Sequence, residues 1–123
     1  MTRERLDLGK LGEDLALQRI RRMGYRCVTR NYRCALGEID IVAKEGDTLV
    51  FVEIKTRKGK TLGFAKEAVD RRKRRQLSKV ALAYMKANHC CDAKARFDVV
   101  AISFREGSVQ IEVVRDAFEL AYG

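Results

Sequence analysis

The stretch of residues 37–57, GEIDIVAKEGDTLVFVEIKTR, has the pattern of a β-hairpin. Two apolar runs flank a polar turn at residues 44–47. Charged side chains interrupt both apolar runs, and these are Glu38, Asp40, Glu53 and Lys55. Charges on a strand usually mark a solvated face, and a glutamate two residues from a lysine can be a surface pair. The alternative is a functional site built from the carboxylates of this hairpin.

Strand geometry assigns these residues to faces, because successive side chains point to opposite sides of a strand. Ile39 and Ile41 should share the face opposite the carboxylates of their strand, and Glu53 should share a face with Lys55. If the strands pair, the acidic faces coincide. Like charges raise each other's pKa, so such a cluster is costly unless a cation neutralises it. Carboxylate oxygens suit Mg²⁺ or Mn²⁺ rather than Zn²⁺.

Composition restricts the classes of protein to consider. The chain has 123 residues, 46% of them hydrophobic, which predicts a single domain over residues 1–123 with a moderate core. It shows no bilayer-length apolar run and no signal-peptide pattern, so we expect a cytoplasmic protein without a membrane partner. His89 is the only histidine, which gives little support to a Ser-His-Asp mechanism. The four cysteines lack the paired spacing of a structural zinc site.

The net charge of +9 is distributed unevenly. Residues 57–75 contain nine basic side chains against two acidic ones, and the basic ones are Arg57, Lys58, Lys60, Lys66, Arg71, Arg72, Lys73, Arg74 and Arg75. A local concentration of this kind predicts a polyanion partner, with nucleic acid favoured over membrane. The alternative is a solvated basic face that aids solubility.

A helix is predicted over residues 4–23, with Leu11, Ala16, Ile20 and Met23 among its apolar stripe. Glycines within it suggest close approach to another element. Glu13 lies at the edge of the stripe. It could lean over the sheet toward the carboxylates, or it could be an ordinary exposed glutamate.

A second helix is predicted from an N-cap at Asp70 to about residue 88. Lys73 and Gln76 fall on its buried stripe and should face the sheet, although a lysine can also extend from the edge of a core to water. The flanking arginines, Arg71, Arg74 and Arg75, should project outward. Strands are predicted at residues 25–32, 96–104 and 108–114, which gives the order α-β-β-β-α-β-β.

This order, together with Asp40 and Glu53-Ile54-Lys55, resembles the PD-(D/E)xK nuclease superfamily. Within it, the chain resembles the YraN-type family of small bacterial proteins over nearly its whole length. The matching motifs are Gly9-x-x-Gly12-Glu13, Asn31-Tyr32-Arg33, Gly37-Glu38-Ile39-Asp40-Ile41-Val42, Phe51-Val52-Glu53-Ile54-Lys55-Thr56-Arg57, Ala68-Val69-Asp70-x-x-Lys73 and Arg96-Phe97-Asp98-Val99-Val100. The resemblance implies an α/β fold with a restriction-endonuclease-like core, a mixed central sheet flanked by helices.

The superfamily pattern implies a role for each matching residue. Asp40 and Glu53 would ligate one or two Mg²⁺ or Mn²⁺ ions, helped by the backbone carbonyl of Ile54. Lys55 would hold the attacking water or the scissile phosphate. Glu13 would match a catalytic glutamate on the first helix of resolvase-like members.

Three further positions complete the predicted site. Glu38 is expected to contact the metal-binding carboxylates rather than the metal, and Gln76 of the second helix is expected to do the same. Ile39 stands where the proline that names the superfamily motif would be, at a position that varies widely.

The implied function is metal-dependent hydrolysis of phosphodiester bonds in DNA by a metal-activated water. The basic segment would grip phosphates without reading bases, which favours branched or flapped DNA over a particular sequence. Archaeal Holliday-junction resolvases, which are similar in plan, are dimeric, so the resemblance also implies a homodimer. The alternative is a non-catalytic nucleic-acid-binding adaptor on the same core, acting in DNA repair or processing.

Overall fold

The computed structural model describes residues 3–59 and 69–119, with side chains from residue 7 onward in the first range. The described residues form two helices and five strands in the predicted order. They are α1 (Arg3–Arg22), β1 (Arg26–Cys34), β2 (Gly37–Glu45), β3 (Thr48–Lys58), α2 (Arg71–Ala87), β4 (Ala95–Arg105) and β5 (Ser108–Phe118). Neither helix is long and apolar enough to cross a membrane, as far as the chain is described.

The strands form one sheet in the order β1-β2-β3-β4-β5. Three neighbouring pairs are antiparallel, and β3 and β4 are parallel. Parallel neighbours need a crossover connection, and α2 lies in the one between β3 and β4. The predicted mixed α/β architecture of a restriction-endonuclease-like core is therefore confirmed.

The two helices cover opposite faces of the sheet, so the central strands are buried on both sides. Ala16, Leu17 and Ile20 of α1 pack in one apolar cluster with the sheet. The other face holds a second cluster, to which α2 contributes Leu77 and Val80. Burial on both faces explains why β3 and β4 carry nearly continuous apolar runs instead of a simple alternation.

The predicted stripe of α1 is wrong at two positions. Leu11 is 46% exposed and Met23 37% exposed, because the face against the sheet runs through Gly12 and Ala16. A Cβ on Gly12 would lie 2.4 Å from the hydroxyl oxygen of Thr56. The close approach predicted for a helix glycine therefore occurs at Gly12, where it brings α1 down onto β3.

The regular alternation of β2 breaks at Asp40. Ile39 packs in the α2-side cluster and Ile41 in the α1-side cluster, so the prediction that these two share a face is wrong. In the register of β1 and β2, the residue opposite Asp40 is Asn31, whose φ of 52° is left-handed. Both strands are therefore irregular at this position, a feature that the local alternation of residue types does not show.

Candidate active site

The site begins where β2 and β3 separate. Their pairing ends at Ile41 opposite Val52. Beyond this pair, the Oδ2 atom of Asp40 accepts a hydrogen bond from the backbone N–H of Ile54 at 2.7 Å. A carboxylate therefore occupies the opening between the two strands, held by the backbone of the strand that carries Glu53 and Lys55.

Glu53 is buried beside Asp40. Its side chain is 9% exposed, and its Oε2 atom has no hydrogen-bond partner among the described residues. Lys73 Nζ lies 3.9 Å from Oε2, close enough for charge attraction but too far for a hydrogen bond. Burial, hydrogen bonding to Asp40 and the charge of Asp40 raise the pKa of Glu53 to about 8, against the opposing influence of Lys55 and Lys73.

These carboxyl groups fit a divalent cation. An unpartnered buried carboxylate oxygen is costly, and coordination would satisfy it while removing the repulsion between Asp40 and Glu53. No group of three or more His, Cys, Asp or Glu side chains converges as a metal site within the described residues. The protein donors here are thus two carboxylates, with the Ile54 carbonyl as the third candidate. Mg²⁺ commonly binds one or two carboxylates and keeps several waters.

Glu53→Gln should make the stability of the metal-free protein less dependent on pH. The folded wild type keeps the Glu53 proton between about pH 4.5 and about 8, whereas the unfolded chain loses it near 4.5. The Glu53 contribution to the free energy of unfolding therefore falls as pH rises through this window, by up to about 1.4 kcal/mol per pH unit. Urea denaturation in the presence of chelator, at about pH 5, 6.5 and 8, measures this change in the free energy of unfolding.

The control for this comparison is Glu38→Gln, because the Glu38 side chain is 47% exposed on the same hairpin. The difference in unfolding free energy between wild type and Glu53→Gln should shift in favour of the variant as pH rises. A difference that stays constant across the three pH values would contradict the raised pKa.

A cavity of 630 Å³, here called the fork groove, opens onto the separation of β2 and β3. Asp40, Ile54 and Lys55 line it, and so does Glu13 from α1. The structure thus brings Glu13 to the predicted site, but other residues already bind its Oε1 atom: Arg30 Nη2 donates at 3.1 Å and Asn31 Nδ2 donates at 2.8 Å. Glu13 ties α1 to β1 in this arrangement.

Comparison with known proteins places the chain in a family. Residues 12–102 match the model described as "Uncharacterised protein family UPF0102". The chain belongs to the UPF0102 family. The resemblance to YraN-type proteins inferred from the sequence is confirmed at this level.

Curated UPF0102 proteins match this UPF0102 chain along most of its length. A UPF0102 protein of Syntrophus aciditrophicus (strain SB) is 46% identical, covering 98% of this chain and 94% of that protein. UPF0102 protein GSU0650 of Geobacter sulfurreducens is 49% identical, covering 94% and 91%. A relative from Moorella thermoacetica is 42% identical, covering 96% and 100%.

The basic residues predicted to bind nucleic acid occupy several places in this UPF0102 protein. Lys73 faces the carboxylates, as its position on the helix stripe predicts. Gln76 reaches the β1–β2 turn, where its Nε2 lies 3.5 Å from the Leu36 carbonyl oxygen. Two exposed groups remain at the surface, Arg57 and Lys58 at the end of β3 and Arg71, Arg72 and Arg75 at the start of α2. Lys60 lies outside the described residues.

The outward orientation predicted for Arg74 is wrong. Its Nε donates to the Val69 carbonyl oxygen at 3.0 Å, and its guanidinium lies 5.2 Å from the ring centroid of Phe118. Phe118 reaches this place because β5 continues beyond the predicted end at residue 114 and stacks its ring on Phe97, 4.5 Å between centroids. Arg74 therefore joins α2 to the sheet.

Three residues of interest in the UPF0102 chain were not predicted as site residues. Lys10 and Arg33 line the fork groove with the carboxylates. Arg33 belongs to the quoted motif Asn31-Tyr32-Arg33, and Lys10 stands at an unspecified position of Gly9-x-x-Gly12-Glu13, but neither was assigned a role. Asp98 is completely buried in an ion-pair network with Arg96. The sequence did contain a signal for it, because Asp98 is a charged residue within an apolar strand.

Proposed function

We propose that this UPF0102 protein is a metal-dependent nuclease that hydrolyses phosphodiester bonds in DNA and selects branched or flapped structures. The observation that carries the proposal is Glu53, a buried carboxyl beside a second carboxyl, Asp40; one oxygen of Glu53 has no hydrogen-bond partner within the described part of the chain. These two side chains and the Ile54 carbonyl would hold one or two Mg²⁺ or Mn²⁺ ions. A cation bound there would supply Lewis-acid chemistry at the scissile phosphate and lower the pKa of a coordinated water.

The chain itself would place charges around the reacting phosphate. Lys55 lines the groove beside Asp40, where its ammonium can hold a water or a phosphate oxygen and stabilise negative charge. Lys73 of α2 attracts the ionised form of Glu53, with its Nζ 3.9 Å from Oε2. Asp40 is oriented by the Ile54 N–H, so its position is fixed before any ligand enters.

The cost of this arrangement supports a functional explanation. A buried carboxyl that lacks a hydrogen-bond partner on one oxygen destabilises the fold, typically by about 1–3 kcal/mol. Carboxyl groups whose pKa is raised by burial and by a neighbouring acid concentrate at functional sites. An apolar residue at position 53 would continue the buried run of β3, so packing alone gives no reason for a glutamate there.

The exposed basic residues would bind the DNA backbone. Arg57 lines the groove and Lys58 follows it in the chain, and the exposed arginines of α2 form a second group. Contacts to phosphates position nucleic acid without reading its sequence, which fits selection of shape. The proposal includes a cytoplasmic location and a homodimer, the latter by analogy with resolvases.

The proposal is tested by calorimetric titration of Mg²⁺ and Mn²⁺ into wild type and Glu53→Ala, followed by incubation of both with labelled branched, flapped and linear DNA. We expect metal binding and metal-dependent cleavage by the wild type, with branched or flapped DNA cut fastest, and neither property in the variant. Folding of the variant is checked by its circular dichroism. A folded wild type that neither binds metal nor cuts any of these DNAs would refute the nuclease.

A second candidate is a nucleic-acid-binding adaptor without catalysis. Two observations favour it, the raised pKa of Glu53 and the nearby Lys73. A protonated Glu53 does not repel Asp40, and Lys73 balances the charge of an ionised Glu53, so the folded site does not require a metal. The same experiment separates the two functions. An adaptor would show binding to DNA that weakens steeply with salt, with no metal dependence of any reaction.

A further inference from the structure

The fork groove has a floor of unusual composition. Gly9 of α1 lines it, and a Cβ added at Gly9 would meet no atom of the described structure within 4 Å outside its own helical turn. A glycine inside a helix costs about 1 kcal/mol relative to alanine. Gly12 offsets this cost by its approach to Thr56, but Gly9 makes no such approach. Among the described residues, the bare backbone at Gly9 therefore faces open space in the groove.

Basic side chains also line the groove. Lys10 and Arg33 line the groove from α1 and β1, and Arg57 lines it from the end of β3. Arg33 Nε pairs with Glu38 Oε2 at 3.0 Å, but these side chains are 74% and 47% exposed. An exposed pair of this kind contributes little in water, so Arg33 can exchange Glu38 for another anion.

The groove also leads to the carboxylates of the candidate site. Asp40 lines it directly, and Glu53, whose carboxyl neighbours Asp40, has no hydrogen-bond partner on Oε2 among the described residues. A ligand in the groove would thus meet cations, a bare helix backbone at Gly9 and the carboxylate of Asp40. A chain of phosphates joined by sugars matches this sequence of contacts.

We propose that the fork groove holds one strand of a nucleic acid, with the strand's backbone against Gly9 and its phosphates between Lys10 and Arg33 on one side and Arg57 on the other. The inference rests on the proposed function, because it brings a phosphodiester to Asp40. The arginines at the start of α2 lie on the helix that covers the opposite face of the sheet. The groove is therefore a separate contact from those α2 arginines, although it includes Arg57 of the basic segment.

The groove is tested by the affinity for a labelled flapped DNA and for its linear duplex in chelator, where no cleavage occurs, across a series of salt concentrations. Lys10→Ala and Arg33→Ala should each weaken binding and reduce the slope of log affinity against log salt by roughly 0.7 to 0.9. The matched control is Lys79→Ala, an exposed lysine on α2, which should leave both quantities at the wild-type values.

Gly9→Leu tests the shape of the groove without changing the net charge of the protein. It should raise the thermal midpoint, because leucine favours helix over glycine, while weakening DNA binding at least tenfold by filling the floor. Glu38→Gln should have the opposite effect on binding, since it removes an acidic side chain from the groove and releases Arg33. Thermal denaturation of each variant shows whether it is folded.

Each outcome decides the inference independently of catalysis. Wild-type affinity and salt slope in Gly9→Leu and Lys10→Ala would overturn the groove, even if the wild type cuts DNA. Weakened binding in both, together with tighter binding by Glu38→Gln, would establish the groove, even if the wild type cuts nothing and the nuclease proposal fails.

Discussion

Asp40→Asn is expected to abolish metal-dependent cleavage of DNA, lowering the rate by more than about 100-fold. Residues that only orient metal ligands already contribute about 10- to 100-fold, and Asp40 is proposed to ligate the metal itself. Asparagine keeps an oxygen that can accept the Ile54 N–H bond seen at 2.7 Å, so the opening between β2 and β3 should retain its shape. The measurement is the single-turnover rate on flapped DNA at saturating Mg²⁺, beside DNA affinity in chelator.

The matched control is Asp47→Asn, the same substitution at an exposed position in the turn at the opposite end of this hairpin. It should cut DNA at the wild-type rate. Asp40→Asn should also retain affinity for DNA, since loss of a carboxylate does not weaken attraction to phosphates. Cleavage by Asp40→Asn at the rate of Asp47→Asn would contradict the proposed role of Asp40.

Asp98→Ala is expected to destabilise the protein by about 3–5 kcal/mol, the usual cost of removing one partner from a buried ion pair. Asp98 is completely buried and accepts a bond from Arg96 Nε at 3.0 Å and another from the Tyr25 hydroxyl. Its Oδ1 also accepts the backbone N–H of Asp116 at 2.9 Å. Removal leaves the Arg96 guanidinium, which is 16% exposed, without its main counter-charge.

The loss should extend beyond the ion pair. The Asp116 contact lies where the register of β4 and β5 shifts, between the pairs at Phe97 and Val99. This shift brings Phe118 onto Phe97, and Phe118 in turn supports Arg74 of α2. Because domains of this kind have about 5–15 kcal/mol of stability in total, the variant should be near its unfolding limit.

Urea denaturation measures this effect, with Glu106→Ala as the control at an exposed position in the turn after β4. The control should stay within about 0.5 kcal/mol of wild type. If Asp98→Ala lost less than about 1 kcal/mol, Asp98 would contribute no more than an exposed pair. The remaining contact of Arg96 Nη2 with Glu45 Oε1 at 2.9 Å would then be sufficient for Arg96.

Local sequence rules accounted for the elements and for the composition of the site. Asp70 caps α2 through a bond from the Lys73 N–H at 2.8 Å, as its position before a helical pattern predicts. The helical period correctly predicted that Lys73 faces the sheet, where its Nζ lies 3.9 Å from Glu53 Oε2. These features depend on backbone geometry within one element, which the sequence specifies directly.

The places where local rules failed lie at contacts between elements. Ile39 and Ile41 face opposite sides because the strands separate at Asp40, and Arg74 turns inward because β5 extends to Phe118. Neither outcome follows from the residues near the position in the chain. Each depends on a strand or helix that arrives from elsewhere in the sequence.

Spacing and residue type were enough to predict the order of helices and strands, the family resemblance, and the placement of Asp40 and Glu53 on one hairpin. Which cations surround those carboxylates depends on the packing of the elements. Lys10 and Arg33 enter the fork groove only because the Gly12 contact sets α1 against β3 and because β2 separates from β3. Spacing specifies a side chain's direction within its own element, whereas its neighbours depend on how the elements twist and pack.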